Sequence, residues 1–349
     1  MGTLFGTDRN TRAAIWDPTI HYTRPDGRPC QGYYASPASR DRAAGIVVDP
    51  GMVGSERPDQ GDRGIEPQVV GLIAAGSRRR DELRHVLWRS RRDLASAGIV
   101  VFCISLGLYL DGDASPWGRD LLGQYFLGAC AWGFLVALLS QEPTPIRLQV
   151  AIAMLAATIC EYTFAPLYHI YTYRFDNVPA YVPPGHGMVY LTAVVLARSP
   201  LFERFGASIT RVALLIGAAW SLWGVTFAER LDTGGAALFC VFFAFVLLGR
   251  SPLLYVGAFF VTSYLELVGT YWGTWAWALH WPSWGGLPQA NPPSGIAAGY
   301  CFLDMLALFF APHVMRFVEW LRGLASGPAM LPVPGTQEAD RRRPPEAPV

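Results

Sequence analysis

The sequence predicts an all-α polytopic integral membrane protein, with about eight transmembrane helices arranged as a parallel 4+4 internal repeat. Three observations carry that expectation. Apolar runs of spanning length fill most of the chain between about Ser77 and Gly327, arginines collect in alternate connections between those runs, and one pattern of helix, glutamate, aromatic loop and double proline occurs twice. Of 349 residues, 52% are hydrophobic and only 16% charged, with a mean hydropathy of +0.25. That average understates the division, because the segments outside the apolar runs are rich in Gly, Pro, Asp and Arg.

Residues 1–76 have turn-forming composition without sustained periodicity and are expected to be polar, disordered and cytoplasmic. Asp8, Arg9 and Arg12 have no apolar run behind them. No cleavable signal peptide is therefore expected, and the first span must direct insertion. Residues 77–94, which include SRRRDELRHVLWRSRRD, form a basic juxtamembrane segment.

A span takes about 20 mostly apolar residues. Candidates lie at 95–110, 121–140, 147–165, 184–198, 208–227, 234–249, 253–269 and 294–312, the first and sixth being short. The first four make one repeat over 95–198 and the last four a second over 208–322, followed by a disordered cytoplasmic tail at 323–349. Positive residues stay in the cytoplasm. Threading eight spans from an inside N-terminus leaves Arg147, Arg198, Arg204, Arg250, Arg316 and Arg322 inside, and Asp111, Asp113, Asp120, Glu229 and Asp232 outside. The expected location is the bacterial inner (plasma) membrane, with both termini cytoplasmic. All 28 basic residues are Arg, as expected of a GC-rich bacterial genome.

The repeat is the most informative feature. GACAWGFLVALLSQEPTPIRL leads into a helix ending at Glu161, then an aromatic loop and VPPGHGMVY. GAALFCVFFAFVLLGRSPLL leads into a helix ending at Glu266, then an aromatic loop and NPPSGIAAGY. Four helices separate equivalent elements, so the copies share one orientation, with a pseudo-two-fold axis along the membrane normal.

A net charge of +1 offers no basic field for nucleic acid. Of six cysteines, Cys103, Cys130, Cys160, Cys240 and Cys301 lie in or beside apolar helices, where cysteine behaves as a small hydrophobe, and no CxxC pair occurs.

Ionisable residues inside spans are costly and mark functional sites. Glu161 and Glu266 fall at matched depths near the outer ends of their helices. Each precedes a dense aromatic stretch: Tyr168, Tyr171, Tyr173, Phe175 and Tyr181 in one, and Tyr271, Trp272, Trp275, Trp277, Trp281 and Trp284 in the other. An interfacial belt accounts for many such residues. The functional alternative is a pair of re-entrant or interfacial segments walling a groove for a lipid-like substrate. The double prolines suit a first helical turn, and the N–H groups there offer a second possibility, an anionic headgroup with Arg174 as charge partner.

His169, His186 and His280 share the outer face with the two glutamates, and Asp304 adds a carboxylate about three turns into the last span. Histidine beside glutamate suits proton transfer. Three histidines with carboxylates also suit a divalent metal, but no compact metal motif such as HExxH occurs, and no metal ligands are assigned.

The stretch ELVGTYWG from Glu266, with Trp275 and Trp277 following, locally resembles a motif of the membrane-bound carotenoid-biosynthesis hydratases, which pair a Glu and glycines with nearby aromatics. The resemblance is confined to this short stretch, and the double prolines and GHG lie outside it. It implies hydration of an isoprenoid.

The expected function is therefore a membrane-embedded enzyme using acid–base chemistry on a lipid or isoprenoid at the outer leaflet. Glu161, Glu266, His186 and His169 are its candidate catalytic groups. Tyr171, Tyr173, Arg174, Trp275, Trp277, His280 and Asp304 are candidates for substrate binding. Membrane lipids are the expected partners, and no cofactor or protein partner is identified. The alternatives are a transporter or lipid-handling protein with a site between the repeat halves, and a non-catalytic scaffold whose basic segment binds anionic lipid.

Overall fold

A computed structural model describes the backbone of residues 21–23, 29–31, 67–117, 120–282 and 285–325, and the side chains from 80 to 322 within those ranges. The chain divides into two compact units, Met1–Asp81 and Glu82–Val349. In the first, β1 (His21–Thr23) pairs antiparallel with β2 (Pro29–Gln31). Most of the N-terminal region expected to be disordered, and all but the first residues of the C-terminal tail, lie outside the described residues.

The rest is mostly helical: α1 (Pro67–Asp111), α2 (Leu121–Ser140), α3 (Thr144–Tyr162), α4 (Val182–Ala197), α5 (Pro200–Thr226), α6 (Thr233–Leu248), α7 (Pro252–Tyr271) and α8 (Ala297–Ala325). Six are long and apolar enough to cross a membrane: α1 from Arg80, α2, α3 with the turn after it, α5, α7 and α8 as far as Arg322. The chain is thus suited to a multi-pass membrane protein. The sixth helix, α6, is short as expected, but the other short helix is α4 rather than the first, each being 16 residues and about 24 Å long. α1 gains length because the basic segment 77–94 is helical and continuous with the apolar run.

Sequence punctuation explains the boundaries. Asp120 caps α2, its carboxylate accepting from Gly123 N at 2.9 Å. Asp232 does the same for α6, accepting from Gly235 N at 3.1 Å. Ser199 caps α5, and Pro200 stands at its first turn, so α5 begins earlier than hydropathy alone predicts.

α4 and α7 are the most enclosed helices, with α4 packed on α7 and α3 packed on both α4 and α8. A Cβ on Gly257 of α7 would sit 3.0 Å from the Ala193 carbonyl oxygen of α4, so the missing side chain lets the two backbones approach. Leu135, Val150, Met188, Leu191, Val194 and Leu254 fill the core between these helices. The peripheral helices turn Leu122, Phe126, Leu215, Leu222 and Trp223 outward, as a bilayer-facing surface does. At one end, Arg198 forms a bidentate pair with Glu142 at 2.7 and 2.8 Å. At the other, the aromatic stretches meet as an antiparallel ribbon, β3 (Tyr171–Tyr173) against β4 (Trp275–Trp277).

Candidate functional site

The site grows from the end of α3. One π-helical turn, Thr163–Leu167, follows the helix and contains Pro166. The chain then reverses at His169, whose φ is +49°, and emerges as β3. Side chains two apart on a strand share a face, so Tyr171 and Tyr173 turn inward together while Thr172 turns out. Both phenols donate to Glu161 Oε2 at 2.8 Å.

β4 repeats the arrangement on the other carboxylate. The indoles of Trp275 and Trp277 donate to Glu266 Oε2 at 2.9 and 3.1 Å. Gly269, one turn beyond Glu266, permits this: a Cβ there would lie 2.0 Å from the Trp275 ring. Across the ribbon Tyr171 faces Trp277 and Tyr173 faces Trp275, with ring centroids 4.7 and 6.1 Å apart. Glu161 and Glu266 are 7% and 6% exposed.

His186 completes the cluster from the first turns of α4, after the double proline. Its Nε2 lies 2.8 Å from Glu161 Oε1, its side chain is 10% exposed, and its ring stacks on Tyr300 of α8 at 5.1 Å. Nδ1 is buried without a hydrogen-bond partner. Glu161 thus spends one oxygen on two phenols and the other on an imidazole. Glu266 lies within electrostatic reach of Glu161 and His186. Burial, and then the Glu161 charge, push the Tyr171 and Tyr173 phenols well above the usual tyrosine range, so both remain hydrogen-bond donors.

Other candidates lie elsewhere. His169 is exposed and lines a groove of about 200 Å³ with Thr172, Tyr173, Asp176 and Asn177. His280 is exposed in a bridge to Pro288, away from the glutamates' hydrogen-bond network. Arg174 pairs with Asp113 at 2.8 Å and donates to the Asp111 and Gly112 carbonyls, so its charge closes the end of α1. Asp304 is buried deeper along α8, with Oδ2 unpartnered. At the second double proline the Ser294 N–H is taken by Asp232 Oδ2 at 2.8 Å, so the protein supplies its own anion there. Among the described residues no three His, Cys, Asp or Glu side chains gather as a metal site requires.

Several residues of this end carry no motif. Tyr181 and Gln124 both donate to the buried Asp111 Oδ2, at 2.6 and 2.9 Å. Burial and the Asp111 charge push the Tyr181 phenol up. Arg230 donates to the carbonyls of Gln289, at 2.6 Å, Trp277, at 2.7 Å, and Ala278, and burial lowers its pKa. The available signal was period-two alternation: YTY and WAW begin ten and nine residues after their glutamates.

Compared with known proteins, the chain matches no protein-family model, no curated protein and no solved structure.

Proposed function

We propose that this is an integral membrane enzyme performing acid–base chemistry on a lipid or isoprenoid, with the ribbon end at the outer leaflet of a bacterial inner membrane and both termini cytoplasmic. The eight helices form two parallel four-helix halves. Supporting that division, α3 packs on α8 as its counterpart α7 packs on α4. Each half has an aspartate capping its second helix, and each contributes one strand to the ribbon.

The observation that carries the chemistry is the Glu161–His186 pair beside Glu266. A carboxylate bonded to one imidazole nitrogen, with the other nitrogen unpartnered, is an arrangement for giving or taking a proton. Tyr171 and Tyr173 hold Glu161 in place. Trp275 and Trp277 hold Glu266 and supply apolar walls. Tyr162, Phe164, Leu167 and Tyr168, next in sequence to the groove residues Ala165, Pro166 and His169, are exposed and offer apolar surface suited to an isoprenoid or acyl chain.

The test is to purify the full-length protein in mild detergent, identify co-purifying lipids by mass spectrometry, and repeat with Glu161→Gln and Glu266→Gln. Enrichment of one lipid or isoprenoid, with its amount or chemical form altered in either variant, is the expected result. Equal amounts of bulk lipid in all three preparations would remove the reading's support.

A further inference from the structure

A groove of about 200 Å³ lies beside Tyr173, lined by His169, Thr172, Asp176 and Asn177 together with Ala165 and Pro166. It is smaller than the roughly 300–1,000 Å³ of a site that encloses a whole drug-sized ligand. It therefore suits a headgroup whose chains lie outside. Among the described residues, His169 and Asp176 are the only non-glycine residues with positive φ, at +49° and +54°, and both line this groove. Each closes a turn, the His169 N–H donating to Ala165 O and the Asp176 N–H to Tyr173 O, both at 3.0 Å. Glycine adopts that conformation at least cost, whereas a Cβ disfavours it. Two polar side chains held this way around one cavity are the pattern of a ligand clamp.

The polar capacity of the groove is unspent. Among the described residues, the side chains of His169, Thr172 and Asp176 have no hydrogen-bond or ion-pair partner. Asn177 is held in one orientation. Asp111 Oδ2 accepts from Gln124 Nε2 at 2.9 Å, which leaves Gln124 Oε1 to accept from Asn177 Nδ2 at 2.9 Å. Those roles leave Asn177 Oδ1 as a buried acceptor without a partner. Among the described residues the lining holds one carboxylate and no arginine. Arg174, the cation adjacent in sequence, is committed to Asp113 and to the end of α1.

We propose that this groove binds the primary ammonium headgroup of a membrane amphiphile, a lipid of the phosphatidylethanolamine class. Asp176 meets the charge, and the ammonium N–H groups suit the unspent acceptors Thr172 Oγ1 and Asn177 Oδ1. His169 offers a ring N–H to the phosphate. A quaternary ammonium has no N–H to give, and the groove has no aromatic cage to hold one. An anionic headgroup would meet the Asp176 carboxylate with no lining arginine to offset it. Phe164, Leu167 and Tyr168, next in sequence to the groove residues, are exposed and offer apolar surface for the chains. The inference deepens the lipid reading of the neighbouring glutamate site and rests on it for why a headgroup is held there. Tyr173 joins the two, since it lines the groove while its phenol donates to Glu161 at 2.8 Å.

The experiment is native mass spectrometry of the full-length protein in mild detergent, titrated with dioleoyl lipids that carry ethanolamine, choline or glycerol headgroups. Wild type should bind the ethanolamine lipid about tenfold more tightly than the other two, the yield of one well-placed charge-assisted contact. Asp176→Asn should lower that affinity by about tenfold, and Thr172→Val, which keeps the side chain's shape, by about threefold. Glu229→Gln removes an exposed carboxylate outside the groove and should change nothing. Free ethanolamine should not displace the lipid. Equal affinity for the three headgroups, wild-type binding by Asp176→Asn, an equal loss in Glu229→Gln, or displacement by free ethanolamine would each overturn the proposal. Headgroup selectivity with no lipid change in the Glu161→Gln and Glu266→Gln preparations would leave the groove standing and remove the acid–base reading. The converse result would remove only the groove.

Discussion

Tyr171 and Trp277 face each other across the β3–β4 ribbon with ring centroids 4.7 Å apart, yet they donate to different carboxylates, Tyr171 to Glu161 and Trp277 to Glu266. One aromatic pair therefore joins the hydrogen-bond partners of the two glutamates. A change at either acid should be felt through the ribbon at the other.

Tyr171→Phe and Tyr173→Phe each remove one hydrogen bond to a buried carboxylate, costing about 1.5–3 kcal/mol. Because Glu161 Oε2 is shared, Tyr171→Phe in a Glu161→Gln background should cost less than in wild type. Thermal unfolding in detergent across the double-mutant cycle measures the difference, and strict additivity would contradict a shared acceptor.

Gly269→Ala places a methyl inside the volume of the Trp275 indole. Moving the ring breaks its bond to Glu266, and overpacking costs about 1–3 kcal/mol. A lower melting temperature with a shifted tryptophan emission is expected. Unchanged emission would mean that the ring stays in place.

Asp232 accepts backbone N–H groups from Gly235, Ala290 and Ser294 at 3.1, 2.8 and 2.8 Å. Asp232→Ala loses a helix cap and the anchor of the segment before α8, so a cost of at least about 2 kcal/mol is expected. Asp120→Ala removes a carboxylate that, among the described residues, accepts only from Gly123 in α2, and should cost about 1 kcal/mol. Equal losses would show that the extra bonds of Asp232 contribute nothing.

The raised phenols of Tyr171, Tyr173 and Tyr181 set the alkaline behaviour. A phenol whose folded pKa exceeds its unfolded value near 10 stabilises the fold fully below that value, and the contribution is lost as pH rises through the folded pKa. A spectrophotometric titration of tyrosine ionisation reads this directly. The three ribbon-end phenols should ionise late, together with unfolding. A single transition for all tyrosines would contradict their burial.

Sidedness has its own measurement. In a background without native cysteines, Asp176→Cys and Leu279→Cys should react with a membrane-impermeant maleimide added to intact cells, and Gln141→Cys only after permeabilisation. The reverse pattern would turn the ribbon end toward the cytoplasm.

Hydropathy made a multi-pass chain of apolar helices readable, six of them long enough to span, because a span's apolar composition is local to one stretch of chain. Helix ends were less readable. Polar residues join apolar helices without a break, as in α1, and Ser199 with Pro200 start α5 well before its apolar run. Both glutamates and the aromatics beyond them were legible from spacing, whereas the YTY and WAW strands were obscured by reading the stretches as loops.

The sequence by itself determined an apolar multi-helix chain with two glutamates near helix ends, each followed by paired aromatics, since burial cost and strand alternation act along the chain. Tertiary structure alone decided that Tyr171 and Tyr173 serve Glu161, that Trp275 and Trp277 serve Glu266, and that His186 rather than His169 or His280 joins them. It also brought in Tyr300 and committed Arg174 to the end of α1. Those choices depend on cross-strand register and helix packing between distant segments, and a hydrogen bond a few ångströms long is decided by that geometry.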